Sequence, residues 1–376
     1  MGPINLALRE MRRRAGRFVI LVGAVTVLVF FLLFQQALLG GLVSEFVGAL
    51  RNNDADGFVY GELARDNLQA SVVAPDTVAA VGAVDGVRQA GPVGVGTFTA
   101  SVSAPAPDDR RDVTLFGYEL GGPGGPDNVT DGRLPQAPGE ALASDAGAGF
   151  AVGDTVELAD GGTISIVGVG DELSFSVTPT LFVSFDTYAQ ARTAQNPDAS
   201  MVPPSAVAVW VDQGADPAAV MAAIDAAVPG VDALTRTQAA DEAPGVASVQ
   251  QSFSVILLLG WLTVGTVIGF FFLILTTQKL PQLTLLRAMG VHTAELAGAV
   301  ATQIVIVVAA GFALGALGTT QALSGGSSGL NASLSGGDLG SAAAILGVLA
   351  AIALAVSAWR IRGLDPVDAV DQGADL

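Results

Sequence analysis

Apolar and polar positions divide this chain into four long uncharged blocks and a mixed central region. The blocks run Phe18–Ser44, Ser252–Gln278, Leu296–Ala322 and Leu339–Trp359, and none holds Asp, Glu, Lys, Arg or His in its interior. Each carries the ~20 apolar residues that take a helix across a hydrocarbon core about 30 Å thick. A backbone inside lipid must satisfy its own hydrogen bonds, so the blocks are expected to be helices. Their spacing is 1 + 3, because residues 45–251 separate the first block from the second.

The central region changes period. Phe58–Tyr60 reads as a short strand, and Pro75–Val84 as a helix leading through Asp85-Gly86 into Val87. Much later Ala206–Val211 reads as a strand, followed by a helix over Asp216–Val228 with Asp216 as its cap and Pro217 at its first position. That helix leads through Pro229-Gly230 into Val231, echoing the earlier passage. Two strand–helix–strand units therefore flank an insert, about Leu120–Ala194. The insert opens on the Gly/Pro-rich run Gly121–Pro126 and continues with strands at Thr155–Leu158, Thr163–Val169 and Thr180–Ser184. Asp160-Gly161-Gly162 between two β-branched runs predicts a hairpin. Gln238–Gln251 is expected to be a helical stalk continuous with the second span.

Charge orients these pieces. Residues 45–251 hold 28 Asp and Glu against eight Arg and no Lys. The first 17 residues hold five Arg, Lys279 and Arg287 lie between the second and third blocks, and Arg360 and Arg362 follow the fourth. Basic residues near span ends mark the cytoplasmic side. Both termini are thus expected in the cytoplasm and the acidic domain outside, in a cell membrane. Asn5–Arg17 reads as a basic amphipathic lead helix lying on the inner surface. A cleaved signal peptide is the rival reading of the N-terminus, but an apolar run of about 27 residues exceeds the usual h-region. The chain has no Cys, so the outer domain must fold on its apolar core alone.

Several chemistries are missing. The only Lys, Lys279, does not follow a glycine-rich loop, so a phosphate-cradling Walker A site is excluded. One His and no Cys leave little for thiol, His-triad or zinc chemistry. Carboxylate pairs such as Asp108/Asp109 and Asp171/Glu172 read as solvated surface. No cofactor, metal or catalytic residue is expected in this chain, no enzyme activity, and no nucleic-acid partner. Spans without ionisable groups argue against ion-coupled transport. Small residues recur instead: Gly265 and Gly269 in the second span, Gly311 and Gly315 in the third, Gly347 in the fourth. Such spacing lets helices approach closely, within the chain or between two copies.

The sharpest local signal lies between the second and third spans. Lys279-Leu-Pro-Gln-Leu-Thr-Leu-Leu-Arg287-Ala-Met-Gly290 reads as a short amphipathic cytoplasmic helix stopped at Gly290, too apolar to be a plain loop. With Ala288, Met289 and Gly290 at its core, it resembles the coupling helix of the MacB/FtsX-like ABC transporter permeases, and its Lys-x-Pro opening is similar to the DevC-like branch. Arg360-x-Arg362-x-x-Asp365-Pro366-x-x-Ala369-Val370 is similar to the motif that follows the last span in that family. Many relatives carry Arg-Glu where this chain has Pro281-Gln282, which shifts the expected docking surface to Leu283, Leu285, Leu286 and Arg287.

The resemblance implies an α-helical membrane protein with four transmembrane helices (1 + 3) and an α+β extracytoplasmic domain of two βαβ lobes and a β-rich insert. The expected order is a lead helix at 1–17, spans at 18–44, 252–278, 296–322 and 339–359, the outer domain at 45–251, a coupling helix at 279–295, an outer loop at 323–338 and a cytoplasmic tail at 360–376. It implies a homodimeric permease working with two copies of a separate ATPase, which carries the ATP and Mg, and with an adaptor protein as a further candidate partner. ATP-driven motion would be transmitted to the outer domain to move a lipophilic or amphiphilic substrate (mechanotransmission). One alternative is an FtsX-like scaffold activating a cell-wall hydrolase. Another is a haem exporter, for which Tyr60, Glu45, Met201 and Met221 are the outer candidates and His292 is expected inside.

Overall fold

A computed structural model describes residues 11–13, 15–102, 110–144, 149–159, 162–198, 201–288, 293–324 and 334–362. The chain divides into two compact units, one built on the long apolar helices and one on residues 41–251. The first helix, α1 (Ala15–Arg51), crosses from one unit into the other by chain continuity. Within it Val47 leaves helical geometry, at φ −137° and ψ 16°.

The outer domain starts with β1 (Gly57–Gly61), α2 (Pro75–Gly82) and the long β2 (Val87–Val102). An insert follows with β3 (Arg110–Tyr118), β4 (Asp131–Gly132), β5 (Glu140–Ser144), β6 (Thr155–Leu158), β7 (Thr163–Gly170), β8 (Thr180–Ser184) and α3 (Phe185–Gln195). The chain then returns through β9 (Ala206–Val211), α4 (Pro217–Ala227) and β10 (Val231–Thr235). The capping expectation holds in detail: Asp216 accepts from the Ala218 N–H at 3.2 Å and Pro217 occupies the first turn, where no intrahelical donor is needed.

The two strand–helix–strand units interleave instead of standing side by side. Their strands form one sheet in the order β10-β1-β9-β2, with every neighbouring pair antiparallel. Each unit's own two strands are parallel but separated by a strand of the other, the split βαβ arrangement. Both helices lie on one face, where Val59, Val207 and Val209 pack with Val81, Val220 and Ile224. Alternation along β1 sends Phe58 and Tyr60 to the other face, where both are fully buried.

β2 outruns this sheet, and its second half pairs with β3 from Gly94↔Gly117 to Ser101↔Arg110. The pairings continue β3-β8-β5-β7-β6, and β6 pairs back to β2, so the insert closes into a six-stranded barrel. Phe98, Leu115, Ile166 and Leu181 belong to its buried core. The expected insert boundary near Leu120 therefore falls late, since β3 and half of β2 are barrel staves. Tyr188 of α3 fits a slot made by the paired Gly94 and Gly117, where an added Cβ would strike its ring or its own Cβ. Its hydroxyl donates to the Val95 carbonyl at 3.2 Å.

The expected continuous stalk from Gln238 is interrupted. α5 (Arg236–Asp241) opens with a capping box between Thr235 and Gln238 and ends before Pro244 and Gly245, the latter at φ +89°. A residue before proline disfavours the helical region, and a left-handed glycine ends a helix, so a new one starts at Val246. That is α6 (Val246–Ala288), followed by α7 (Thr293–Ser324) and α8 (Gly336–Arg362). Apolar windows long enough to span a membrane fall in α1, α6, α7 and α8. Leu21, Val25 and Val29 of α1, Val264 and Ile268 of α6, Ile304 and Val307 of α7, and Leu346 of α8 form their common core.

Candidate coupling segment and stem junction

The backbone of Lys279–Ala288 continues α6 without a break, so the residues expected to form a separate coupling helix share one helix with the second span. Pro281 lies inside that run and removes the N–H that would reach the Thr277 carbonyl, a natural point for a bend. Leu283, Leu286 and Arg287 occupy i, i+3 and i+4 positions of the helical backbone, which share a face, while the i+2 and i+5 positions of Leu285 and Ala288 fall on the opposite one. Met289, Gly290 and His292 lie outside the described residues, as do most of the lead helix and the Asp365–Val370 motif. α7 begins at Thr293, inside the range expected for the coupling helix.

The small residues of the spans have different neighbours. A Cβ on Gly311 would lie 2.5 Å from Val25 Cγ1 and one on Gly315 2.8 Å from Val29 Cγ1, so α7 approaches the α1 backbone closely through these glycines. A Cβ on Gly265 would meet Leu349 of α8 at 2.9 Å. Gly269 and Gly347 face open space. Gly265 and Gly269, with Leu262, Phe270, Ile352 and Val356, line an apolar groove of about 390 Å³ between α6 and α8. Its hydroxyl, Thr266, is already bonded to the Leu262 carbonyl at 2.8 Å.

The second place of interest is the end of α1, inside the outer domain. In an unbroken helix the Ala49 N–H would bond the Glu45 carbonyl. At the Val47 kink it donates instead to the Ser174 carbonyl at 3.0 Å. The carbonyls of Glu45 and Phe46 accept from the Val177 and Ser176 N–H groups at 2.8 and 3.0 Å. Val47 and Phe175 pair as an isolated antiparallel bridge, and Asn52 Nδ2 donates to the Glu172 carbonyl at 2.7 Å. Gly48 permits this approach, because a Cβ there would collide with the same carbonyl.

Past the kink the chain is tied to the four-stranded sheet and the Gly121–Pro126 turn. Asn53, fully buried, donates to the Gly124 carbonyl at 2.9 Å and accepts from the Ala55 N–H at 3.0 Å. Asp54 Oδ1 accepts from the Gly124 N–H at 2.9 Å, and Trp210 Nε1 donates to the Asp54 carbonyl at 2.9 Å. Burial raises the Asp54 carboxyl above its ordinary value despite the glycine N–H groups that favour its charged form. Arg51 pairs with Asp241 of α5 at 2.9 Å, and the Arg236 guanidinium bonds the Asn53 carbonyl. The hydrophobic pattern did not single out Asn52, Asn53 or the 171–178 segment; the one local signal was an Arg-Asn-Asn-Asp run straight after an apolar block, a turn-forming composition.

The haem reading loses two of its candidates. Tyr60 is fully buried and Met221 is 2 % exposed, both packed in the core of the four-stranded sheet, so neither presents a ligand to solvent. Met201 is exposed. Asp171 and Glu172, first read as solvated surface, use their carbonyls to hold Asn128 and Asn52. Among the described residues no group of three or more His, Cys, Asp or Glu is placed to hold a metal ion.

Four apolar helices flanking a split-βαβ domain with a barrel insert define a polytopic membrane protein with one large domain outside the helix bundle. Residues 18–227 match the MacB-like periplasmic core domain family, more than half of the chain, and the chain belongs to that family as a MacB/FtsX-like ABC transporter permease. It is 24 % identical over 305 residues to an uncharacterized ABC transporter permease of Mycobacterium tuberculosis, covering 80 % of each chain. A second such permease, from Mycobacterium bovis, is 24 % identical over 315 residues, again with 80 % of each covered. Among solved structures, the periplasmic region of MacB from Actinobacillus actinomycetemcomitans aligns with 50 % of this chain and 92 % of its own at 9 % identity and TM-score 0.37. The extracellular domain of the noncanonic ABC-type transporter YknZ from Gram-positive bacteria aligns with 48 % of this chain and 100 % of its own at 16 % identity and TM-score 0.30.

Proposed function

We propose that this permease is the membrane half of an exporter driven by a separate ATPase, two copies of each forming the working unit. The carrying observation is the family domain lying between the first and second of four uncharged spans, in a chain with no Walker A lysine. The segment Leu283–Gly290 docks on the ATPase, which binds ATP and Mg. Closure of the ATPase dimer pushes on that segment, and α1 and α6 pass the motion outward, each being continuous from its span into the outer domain. Both termini then lie in the cytoplasm. Uncharged spans offer no polar path, so the substrate is lipophilic or amphiphilic and is taken from the outer leaflet or the outer space. The lysine-containing Lys279–Pro281 opening supports placement in the DevC-like branch.

Co-purification of the full chain with its ATPase tests this reading. Leu286→Asp with Arg287→Asp is expected to abolish the association and any stimulation of ATP hydrolysis, while far-UV circular dichroism stays unchanged. If the doubly substituted chain still stimulates its ATPase like wild type, Leu283–Gly290 is not the docking element.

A further inference from the structure

Residues Asp171–Thr178, between β7 and β8, span the Val47 kink from one side to the other. Glu172 and Ser174 hold Asn52 and Ala49 after the kink, whereas Ser176 and Val177 hold Phe46 and Glu45 before it. The helix end beyond the kink is fixed by Asn53, Asp54 and Trp210 to the four-stranded sheet and its turn. The strap itself is anchored in the barrel. Its Phe175 N–H donates to Thr180 Oγ1 at 2.9 Å, and the Thr178 and Thr114 hydroxyls share a hydrogen bond at 2.6 Å. Next to them the Thr180 N–H donates to Ser144 Oγ at 2.8 Å, so the path reaches β3, β8 and β5 in turn.

Backbone strain and free space meet at this joint. Glu172, Ser176 and Val177 sit at φ of +55°, +54° and +59°, the left-handed region that a β-branched Val strongly disfavours. Strain of this kind persists only where surrounding contacts enforce it. Beside the kink lies a partly open pocket of about 100 Å³, lined by Phe46, Val47, Leu50 and Phe175 together with Asp66 and Gln69, which leaves these side chains room to shift.

We propose that Asp171–Thr178 is a latch across a hinge at Val47: it sets the bend of α1 and converts a change in that bend into movement of barrel strands β3, β8 and β5, with the four-stranded sheet as the fixed frame. The proposal rests on the coupling function above, because α1 must receive motion for the latch to pass it on. Straightening α1 returns the Ala49 N–H to the Glu45 carbonyl, which breaks the Ser174 and Val177 bonds and frees the strained residues.

Amide hydrogen exchange on the full permease, alone and with its ATPase in nucleotide-free and ATP-bound states, tests the latch, with the ATPase rate recorded in parallel. The Ser176 and Val177 amides are expected to exchange at least about tenfold faster in one nucleotide state, while amides of β1 and β9 stay constant. Asn52→Ala removes one latch bond and should speed the Ser174–Val177 amides about fivefold in the permease alone. The chain has no cysteine, so Val47→Cys with Phe175→Cys gives a clean reversible lock at a bridge-paired position. Oxidised, it should leave ATPase association intact and abolish the nucleotide response of the β8 amides; reductant should restore it. Latch amides that do not respond while the ATPase is stimulated, or a locked chain whose β8 still responds, overturn the latch and leave the coupling reading standing. An ATPase rate unaffected by the permease, with no amide responding to nucleotide, overturns both.

Discussion

Single residues decide where backbones can meet. Gly117 faces Tyr188, and a Cβ there would lie 2.5 Å from the tyrosine Cβ, so Gly117→Ala is expected to destabilise the outer domain by about 1–3 kcal/mol through overpacking. Gly311→Ala in α7 should act similarly against Val25, whereas Gly347→Ala, which meets nothing, should be neutral or gain up to about 1 kcal/mol from helix propensity. Thermal unfolding of the three variants in one detergent checks the ordering, and equal effects at Gly311 and Gly347 would contradict the packing. Both positions were visible as small residues in the spans, but their sorting was not, because a glycine's neighbours are set by helix rotation rather than by local spacing. Val177→Gly relieves the Cβ clash at φ +59°, worth about 1–2 kcal/mol, against roughly 0.5–1 kcal/mol for glycine's extra chain entropy, so it should stabilise by up to about 1 kcal/mol; a clear loss of stability would argue that the latch is unstrained.

Elements were legible where the local signal was strong. The ranges of β6, β8 and β9 follow directly from their β-branched runs, and α4 from Asp216 and Pro217. β5 and α3 carry weak signals: Glu-Ala-Leu-Ala-Ser is a poor strand sequence, held by pairing on both sides to β7 and β8. α3 has little amphipathic pattern and is fixed by its Ser184 cap and by Tyr188. The turn between β4 and β5 makes a pH prediction. Glu140 accepts from Nη1 and Nη2 of Arg133, at 2.8 and 2.5 Å, and from the Gln136 N–H at 2.8 Å. The Arg133 bonds first, and that N–H second, hold its carboxyl down at about 2 from an ordinary 4.5. The folded state thus binds fewer protons than the unfolded one in this interval, so the turn's extra protection is full above about pH 4.5 and is lost as pH falls toward 2. Protection factors of the Gln136 and Ala137 amides should follow that course, and Glu140→Gln should flatten it.

At the scale of the molecule, the proposed exporter predicts that docking fails in the Leu286→Asp, Arg287→Asp chain and that the latch mutants change the outer domain without losing docking. The sequence by itself determined the membrane architecture. Whether a block crosses lipid depends on composition over ~20 consecutive residues, a local quantity that needs no fold. It determined the caps and turns of the split βαβ units for the same reason. Only the tertiary structure decided that the two units interleave as β10-β1-β9-β2, that β2 continues into a closed barrel, and that a segment near residue 175 grips a helix near residue 47. Those features are pairings between backbones far apart in sequence, from 54–58 residues where β6 meets β2 to more than a hundred in the four-stranded sheet and at the kink. Main-chain N–H and C=O groups are the same at every position but proline, so the sequence carries little mark of which partner each will find.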